Sequence, residues 1–413
     1  MEGAQAYRFH ELYHHRDMKA EPVLPVKALY EGALKQLNNF PGTIDAIVGY
    51  WDFPVSTMLP LLRQPFGLPS PSFEAVLKCE HKYWSRLEQH RVIPQYIPDF
   101  CDVDPFEDDP RRQITLDYPY WLKPVKAASS SLGFMVRNDD ELAHAIQVIR
   151  KNIFRFAKPF NYLLQFADLP DDVAAIDGYH CIAEEIISEG QQCTLEGYVY
   201  NGDVCVYGAV DSIREGEHHS SFSRYQYPSL IPEQIQNKMI AVTQRFLSHI
   251  GFDNGPFDIE FYWDTENDNI WLLEINARIS KSHCPLFLHV DGASHHQVML
   301  DLALGKQPEF PHRQGPYHYG AKFMWRVYED AMVKRVPTDQ ELQGVRRQIP
   351  DAEILLHIHQ GMRLSELKSQ DSYSYEIADI FLGGDTQKEL LEKYRTVQQI
   401  LPLELAPLIS AAK

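Results

Sequence analysis

Residues Phe257 to Arg278 read FDIEFYWDTENDNIWLLEINAR. Two runs of alternating apolar and polar residues flank a polar turn of Asp, Thr, Glu and Asn, the pattern of an antiparallel hairpin. A register centred on Asn267 pairs Ile259 with Ile275, Phe261 with Leu273 and Trp263 with Trp271 on one apolar face, which predicts a core face. The same register sets Asp258 opposite Asn276 and Glu260 opposite Glu274 on the other face. Carboxylates directly across a strand pair have Cβ atoms roughly 4.5–5.5 Å apart and repel. A hard divalent cation held by carboxylate oxygens, water and phosphates would neutralise them; a hydrated acidic sheet surface is the alternative.

The chain around this hairpin is large and acidic. Its 413 residues, 44% hydrophobic and 23% charged, suit a multi-lobed globular protein. The 39 Lys+Arg against 57 Asp+Glu leave a formal charge of −18, which argues against a nucleic-acid partner but not against one small polyanion. No apolar run is long enough for a transmembrane helix, and the N-terminal MEGAQAYRFHELYHH has no apolar signal core, so a cytoplasmic protein with no membrane partner is expected. Cys79, Cys101, Cys181, Cys193, Cys205 and Cys284 form no CxxC pair and are expected to be reduced thiols.

Strand and helix signals alternate elsewhere. Helices are predicted over Val55–Leu62, Glu141–Phe156 (capped by Asn138), Ile235–Ile250 (stopped by Gly251) and Thr386–Leu401. Strands are predicted over Tyr118–Lys123 and Ala352–His357, with a hairpin over Tyr198–Tyr207 turning at Asn201-Gly202. The segments Pro65–Pro71, Asp99–Arg112 and Gln307–Pro316 read as punctuation or linkers.

Glu260 followed by Glu274-Ile275-Asn276-Ala277-Arg278 resembles the metal-binding signature of the ATP-grasp superfamily, carboxylate–amine ligase type, as in the L-amino acid ligases. Other elements resemble that family in its order: Lys82 and Arg86 in Glu80–Arg86, with His81 where an acid is usual; Lys123 in Trp121–Pro124; the serine loop Ser129, Ser130, Ser131 to Gly133; Glu184, Glu185 and Ile187; Glu196; and Arg214. The resemblance implies an α+β ATP-grasp fold with a shortened N-terminal α/β lobe and a C-terminal accessory lobe. It implies an N-terminal lobe and linker over 1–112, a central lid lobe over 113–193, a lobe with the metal hairpin over 194–310 and an accessory lobe over 311–413. It implies ATP with Mg²⁺, or Mn²⁺ in its place, held by Glu260, Glu274 and Asn276; nucleotide contacts from Lys82, Lys123, Ser129, Ser130, Ser131, Glu184, Glu185, Ile187, Glu196 and Arg214; and catalytic roles for Arg278 and Lys281. The implied reaction joins a small-molecule carboxylate to an amine through an acyl phosphate. Ser282, where the family's biotin-dependent carboxylases carry a glutamate, speaks against bicarbonate activation. A biotin-carboxylase-like ligase, a phosphotransferase and a non-catalytic Mg-ATP-binding protein stay open, as does a homodimer.

One motif competes. His10-Glu11-Leu12-Tyr13-His14 fits HExxH, the zinc metallopeptidase pattern, whose histidines must share a helix face. It stands at the start of the chain with no preceding sheet to form a substrate cleft, and with no third ligand nearby other than the adjacent His15.

Overall fold

In a computed structural model, residues 6–14, 17–18, 23–127, 131–188, 190–214, 221–367 and 374–407 are described. The first lobe consists of α1 (Val26–Asn38), α2 (Val55–Arg63), α3 (Phe73–Glu80) and α4 (Lys82–Val92). No strand precedes Phe100 among the described residues, so this lobe is helical rather than α/β. The extended apolar stretch at Ile44–Val48 does not pair as a strand; Arg63 Nε donates to the Ile47 carbonyl at 2.7 Å, and a side chain meets the need that a neighbouring strand would otherwise fill. The HELYH segment is not helical either. The His10 ring packs edge-on against Phe40 at 4.8 Å, and Tyr13 Oη donates to the Leu29 carbonyl at 2.8 Å. His10 and His14 therefore share no helix face, which removes the metallopeptidase reading.

A four-stranded antiparallel sheet follows, from β1 (Phe100–Val103), β2 (Tyr120–Pro124), β3 (Phe134–Val136) and, after α5 (Asp139–Asn152), α6 (Phe154–Leu164) and α7 (Asp171–Ala174), β4 (Cys181–Glu185). Its order is β1-β4-β2-β3. The segment read as a linker over Asp99–Arg112 thus supplies an edge strand. Asn138 accepts from Glu141 N at 2.9 Å and starts α5, whose Leu142, Ala145, Ile146 and Ile149 bury against Tyr120, Leu122, Val136 and Ala183. Strand alternation then turns Trp121, Lys123 and Glu184 to the opposite face, toward the larger sheet.

That sheet is built from β5 (Gln191–Tyr200), β6 (Asp203–Arg214) and β7 (Phe222–Tyr227), then α8 (Glu233–Ile250), β8 (Gly255–Asp264) and β9 (Asn269–Asn276). The β5–β6 turn carries Asn201 and Gly202 at φ of 51° and 82°, the backbone a tight hairpin needs. Ile235, Met239, Val242 and Phe246 of α8 pack on Leu195, Phe257, Ile259, Phe261 and Leu272, and Gly251 ends the helix at φ 66°. After α9 (Cys284–Asp291) and α10 (His296–Ala303) come β10 (Tyr319–Val327), β11 (Ala331–Arg335), α11 (Asp339–Gln348), β12 (Glu353–Leu356), β13 (Tyr375–Gly384), α12 (Gln387–Ile400) and β14 (Glu404–Pro407). The eight strands lie in the order β12-β13-β10-β7-β6-β5-β8-β9, with β11 and β14 forming a separate pair. Residues beyond 310 therefore extend the hairpin's own sheet, because β10 pairs with β7. Among the described residues no helix is long and apolar enough to cross a membrane, and all six cysteines are free thiols.

Candidate active site

The hairpin keeps its predicted register through the part that matters. Asp258 faces Asn276, Ile259 faces Ile275 and Glu260 faces Glu274; the register then shifts, so that Phe261 faces Leu272 and Trp263 faces Ile270. The extra residue is Leu273, and this bulge moves Leu272 and Ile270 into the core in place of the predicted Leu273 and Trp271. It also leaves Leu273 and Glu274 both partly exposed at the cleft. Burial, followed by the charges of Asp258 and Glu274, pushes the Glu260 pKa up to about 8, the signature of acidic oxygens packed without enough positive charge.

Two sheets close on this hairpin through cations. Lys82, at the start of α4, donates to Glu274 Oε1 at 3.0 Å. His81, which departs from the family's acid, serves as the helix cap: its neutral Nδ1 accepts from Trp84 N at 3.3 Å while Nε2 bonds the Ile176 carbonyl at 2.8 Å. Lys123, on the cleft face of β2, pairs with Glu184 of β4. Arg86, one turn beyond Lys82, binds Glu184 at 2.7 Å and the carbonyls of Leu272 and Leu273 at 3.0 Å each, so one guanidinium joins the small sheet to the edge of the large one. Lys82, Arg86, Lys123, Glu184 and Glu274 line a narrow cleft between the sheets. Burial opposes ionisation of Glu184, but Arg86 and Lys123 prevail and hold its pKa down to about 2. Glu184 is only 4% exposed, so it orients Lys123 from beneath and offers no open oxygen.

Beyond Asn276, Arg278 points back into the same acidic face. It lies 3.6 Å from Asp258 and 3.3 Å from Asp52, a residue of the helical lobe. Burial works against the Asp52 carboxylate, but Arg278 and Lys126 hold its pKa well below the usual range. Lys281 sits over the Trp51 ring at 6.0 Å, next to Asp52. The Trp51–Asp52 stretch therefore forms the wall facing both expected catalytic cations; nothing in its own pattern marks it, because only the fold brings it there.

Other predicted contacts fall in different places. Glu196 is fully buried; its Oε1 accepts from Ser280 N at 3.2 Å and bonds His283 Nδ1 at 2.7 Å. It anchors the segment after the hairpin from below and cannot touch a nucleotide. Glu185 alternates to the outer face and accepts from Asp99 N at 3.3 Å, so it is turned away from the cleft. Arg214 donates to Gln192 at 2.6 Å and to Tyr262 at 2.8 Å, and Gln192 donates to Glu260 at 2.8 Å. Arg214 thus reaches the acidic row through one relay, with Gln192 a member of the site that sequence reasoning missed. Ile187 is buried in the strand-to-strand connection. Ser131 lies in a turn with Leu132 at φ 60°; Ser129 and Ser130 lie outside the described residues.

Glu260, Glu274 and Asn276 fit a divalent cation by donor chemistry. Asn276 donates its amide nitrogen to Asp258 at 2.9 Å, which leaves its oxygen as the ligand atom beside two carboxylates, an all-oxygen set suited to Mg²⁺. Two other groups have metal-like spacing, Glu196/Asp258/His283 and His357/Glu376/Asp379. In the first, the members bond each other, Asn276 and Ser280, with Arg278 alongside, so a cation would have to displace existing partners.

Residues 116–285 match the ATP-grasp domain family. The structure is similar to L-amino acid ligase from Bacillus licheniformis (TM-score 0.71, 18% identity, 92% of this chain and 85% of that one). It is also similar to phosphoribosylglycinamide synthetase from Anaerococcus prevotii (0.57, 15%, 91% and 86%). A third similar structure is biotin carboxylase from Campylobacter jejuni in a β-γ-ATP complex (0.60, 14%, 92% and 79%). An uncharacterized protein of Sinorhizobium fredii is 25% identical over 258 residues, 60% of this chain and 47% of that protein, so the match spans less than half the length of that relative. Residues 116–285 form an ATP-grasp domain, and the chain has the ATP-grasp fold.

Proposed function

We propose that this protein is an ATP- and Mg²⁺-dependent ligase that joins a carboxylate to an amine and releases ADP and phosphate. The observation that carries the reading is the cross-strand pair Glu260–Glu274 with Asn276 at the end of β9 and Arg278 just beyond it, facing Lys82 and Lys123. Lys82 and Lys123 would exchange their carboxylate partners for phosphate oxygens when ATP enters the cleft. A Mg²⁺ held by Glu260, Glu274 and Asn276 would withdraw charge from the terminal phosphoryl group.

In the proposed reaction an oxygen of the substrate carboxylate forms a bond to the γ-phosphorus as the bond to the ADP oxygen breaks. Arg278, held between Asp52 and Asp258, compensates charge on the resulting acyl phosphate. The amine nitrogen then attacks the acyl carbon, the phosphate leaves with the bonding electron pair, and the nitrogen gives up its proton to solvent. The likeness to L-amino acid ligase from Bacillus licheniformis supports amino acids or short peptides as substrates. The test is ADP release with paired carboxylates and amines, with products followed by mass. ADP formed only when both partners are present supports the ligase; turnover with one acceptor alone supports a phosphotransferase. Glu274→Gln should abolish ADP release without unfolding the chain, and full activity in that variant refutes the metal site.

A further inference from the structure

The cleft face of the large sheet carries a second charged cluster, remote from the hairpin. Lys322 on β10 lies 3.0 Å from Asp379 and 3.9 Å from Glu376, both on β13. His357, just after β12, lies 3.2 Å from Asp379 and 3.6 Å from Glu376. Arg326 binds Glu376 at 2.6 Å and the Phe222 carbonyl at 2.6 Å. Hydrogen bonds to Asp379 and then to Glu376 hold the His357 pKa up to about 9, so three cations face two carboxylates near neutral pH. Within a chain of formal charge −18, this patch carries an excess positive charge. Asp379 is 7% exposed, and its Oδ1 has no hydrogen-bond partner although Lys322 stands beside it.

The cluster shares its face with the reaction centre. The register runs from Gln192 to Ser212, Ser212 to Tyr225 and Tyr225 to Lys322, all on the side that carries Glu260. The path is also continuous through side chains: His283, anchored on Glu196, packs edge-on to Tyr225 at 5.1 Å, and Lys322 lies 6.0 Å from that ring. α9 covers the neighbouring part of this face by packing Leu286 and Phe287 against Phe381 of β13, whereas His357 remains part exposed, 35% by side chain. Between β8 and β10 lie four strand steps at about 4.8 Å each, roughly 19 Å along the sheet. The α-carboxylate of a single amino acid does not span such a distance; an extended peptide does, at about 3.5 Å per residue.

We propose that Lys322 and His357, backed by Asp379 and Glu376, form a subsite for the C-terminal carboxylate of a short-peptide acceptor whose amino end reacts near Arg278. The inference rests on the ligase reading. Charge-assisted bonds from a lysine and a protonated histidine select an ionised carboxylate over its amide.

The experiment uses the full chain with pentaglycine and hexaglycine as acceptors, long enough at about 3.5 Å per residue to cover the roughly 19 Å, each as free acid and as C-terminal amide, scored by mass of the ligated product and by KM. The wild type should favour the acids, with amidation raising the acceptor KM at least tenfold. His357→Gln and Lys322→Met should remove the preference by weakening the acids, Lys322→Arg should retain it, and the KM for ATP should move less than twofold in all three. A wild type that treats acid and amide alike, or that ligates only acceptors lacking a second carboxylate, overturns the subsite. Variants that lose thermal stability yet keep the full acid preference show a purely structural ion network and overturn it as well. A wild type with no amine-dependent ADP release from any pair overturns the ligase reading itself, a separate outcome.

Discussion

Arg86→Met should have a large effect on stability for a residue that bonds no substrate. Its guanidinium is 3% exposed and makes bonds of 2.7 Å to Glu184, 2.6 Å to Gln89 and 3.0 Å to the Leu272 and Leu273 carbonyls. Removing it leaves Glu184 buried with Lys123 as its remaining cation. Breaking a buried pair on one side costs about 3–5 kcal/mol. Glu184 is held from its ordinary 4.5 down to about 2 by Arg86 and Lys123 together, about 3 kcal/mol at about 1.4 kcal/mol per pH unit, of which Arg86 supplies only a part. Such a loss is a large part of the 5–15 kcal/mol typical of a folded domain. Urea denaturation of the wild type, Arg86→Met, Glu184→Gln and the double variant would measure it. Losses of about 3 kcal/mol in Arg86→Met, with a coupling of about 2 kcal/mol between the two sites, are expected. Arg86→Lys should recover only part, because an ammonium cannot reach the two carbonyls and the carboxylate at once. A loss below about 1 kcal/mol in Arg86→Met, or no coupling, refutes the view that this residue ties the two sheets together.

Lys123→Met should raise the KM for ATP at least tenfold, about 1.4 kcal/mol, in an ADP-release assay, provided the site is the nucleotide cleft. Because the Glu184 pKa is depressed in the folded chain, its contribution is present above the unfolded value near 4.5 and is lost as pH falls toward 2; acid unfolding of Glu184→Gln should be less steep over that window. His357 is the opposite case: raised to about 9, it stabilises below its ordinary 6.5 and loses that effect as pH rises through 9, so His357→Gln should flatten the alkaline stability limb. Gly197→Ala would run a methyl into the Phe257 ring and within 2.5 Å of the Cys205 carbonyl, and a cost of about 1–3 kcal/mol in thermal or urea unfolding is expected.

Local pattern carried the hairpin, because alternation and a cross-strand acidic pair are properties of neighbouring residues. It registered Asp258 to Asn276 and Glu260 to Glu274 as found, then failed one step further on, where the bulge at Leu273 inserts a residue that no alternation pattern displays. The Asn201-Gly202 turn, the Asn138 cap and the Gly251 stop were legible for the same local reason. Asp52 was not: it meets Arg278 from a lobe far away in sequence, and a lone acid in an aromatic stretch gives no signal. Glu196 and Glu185 looked like nucleotide contacts by position, but burial beneath Ser280 and strand alternation turned them elsewhere. The shared sheet of β10 and β7 was equally hidden, since pairing across an intervening hairpin and three helices leaves no periodic trace.

In the proposed reaction a substrate carboxylate becomes an acyl phosphate before the amine attacks. The most direct measurement follows oxygen. With both oxygens of the carboxylate substrate labelled as oxygen-18, ligation should deliver one labelled oxygen to inorganic phosphate in each turnover and leave the other in the amide product. Phosphate released without the label, while ADP is formed, would contradict the mechanism.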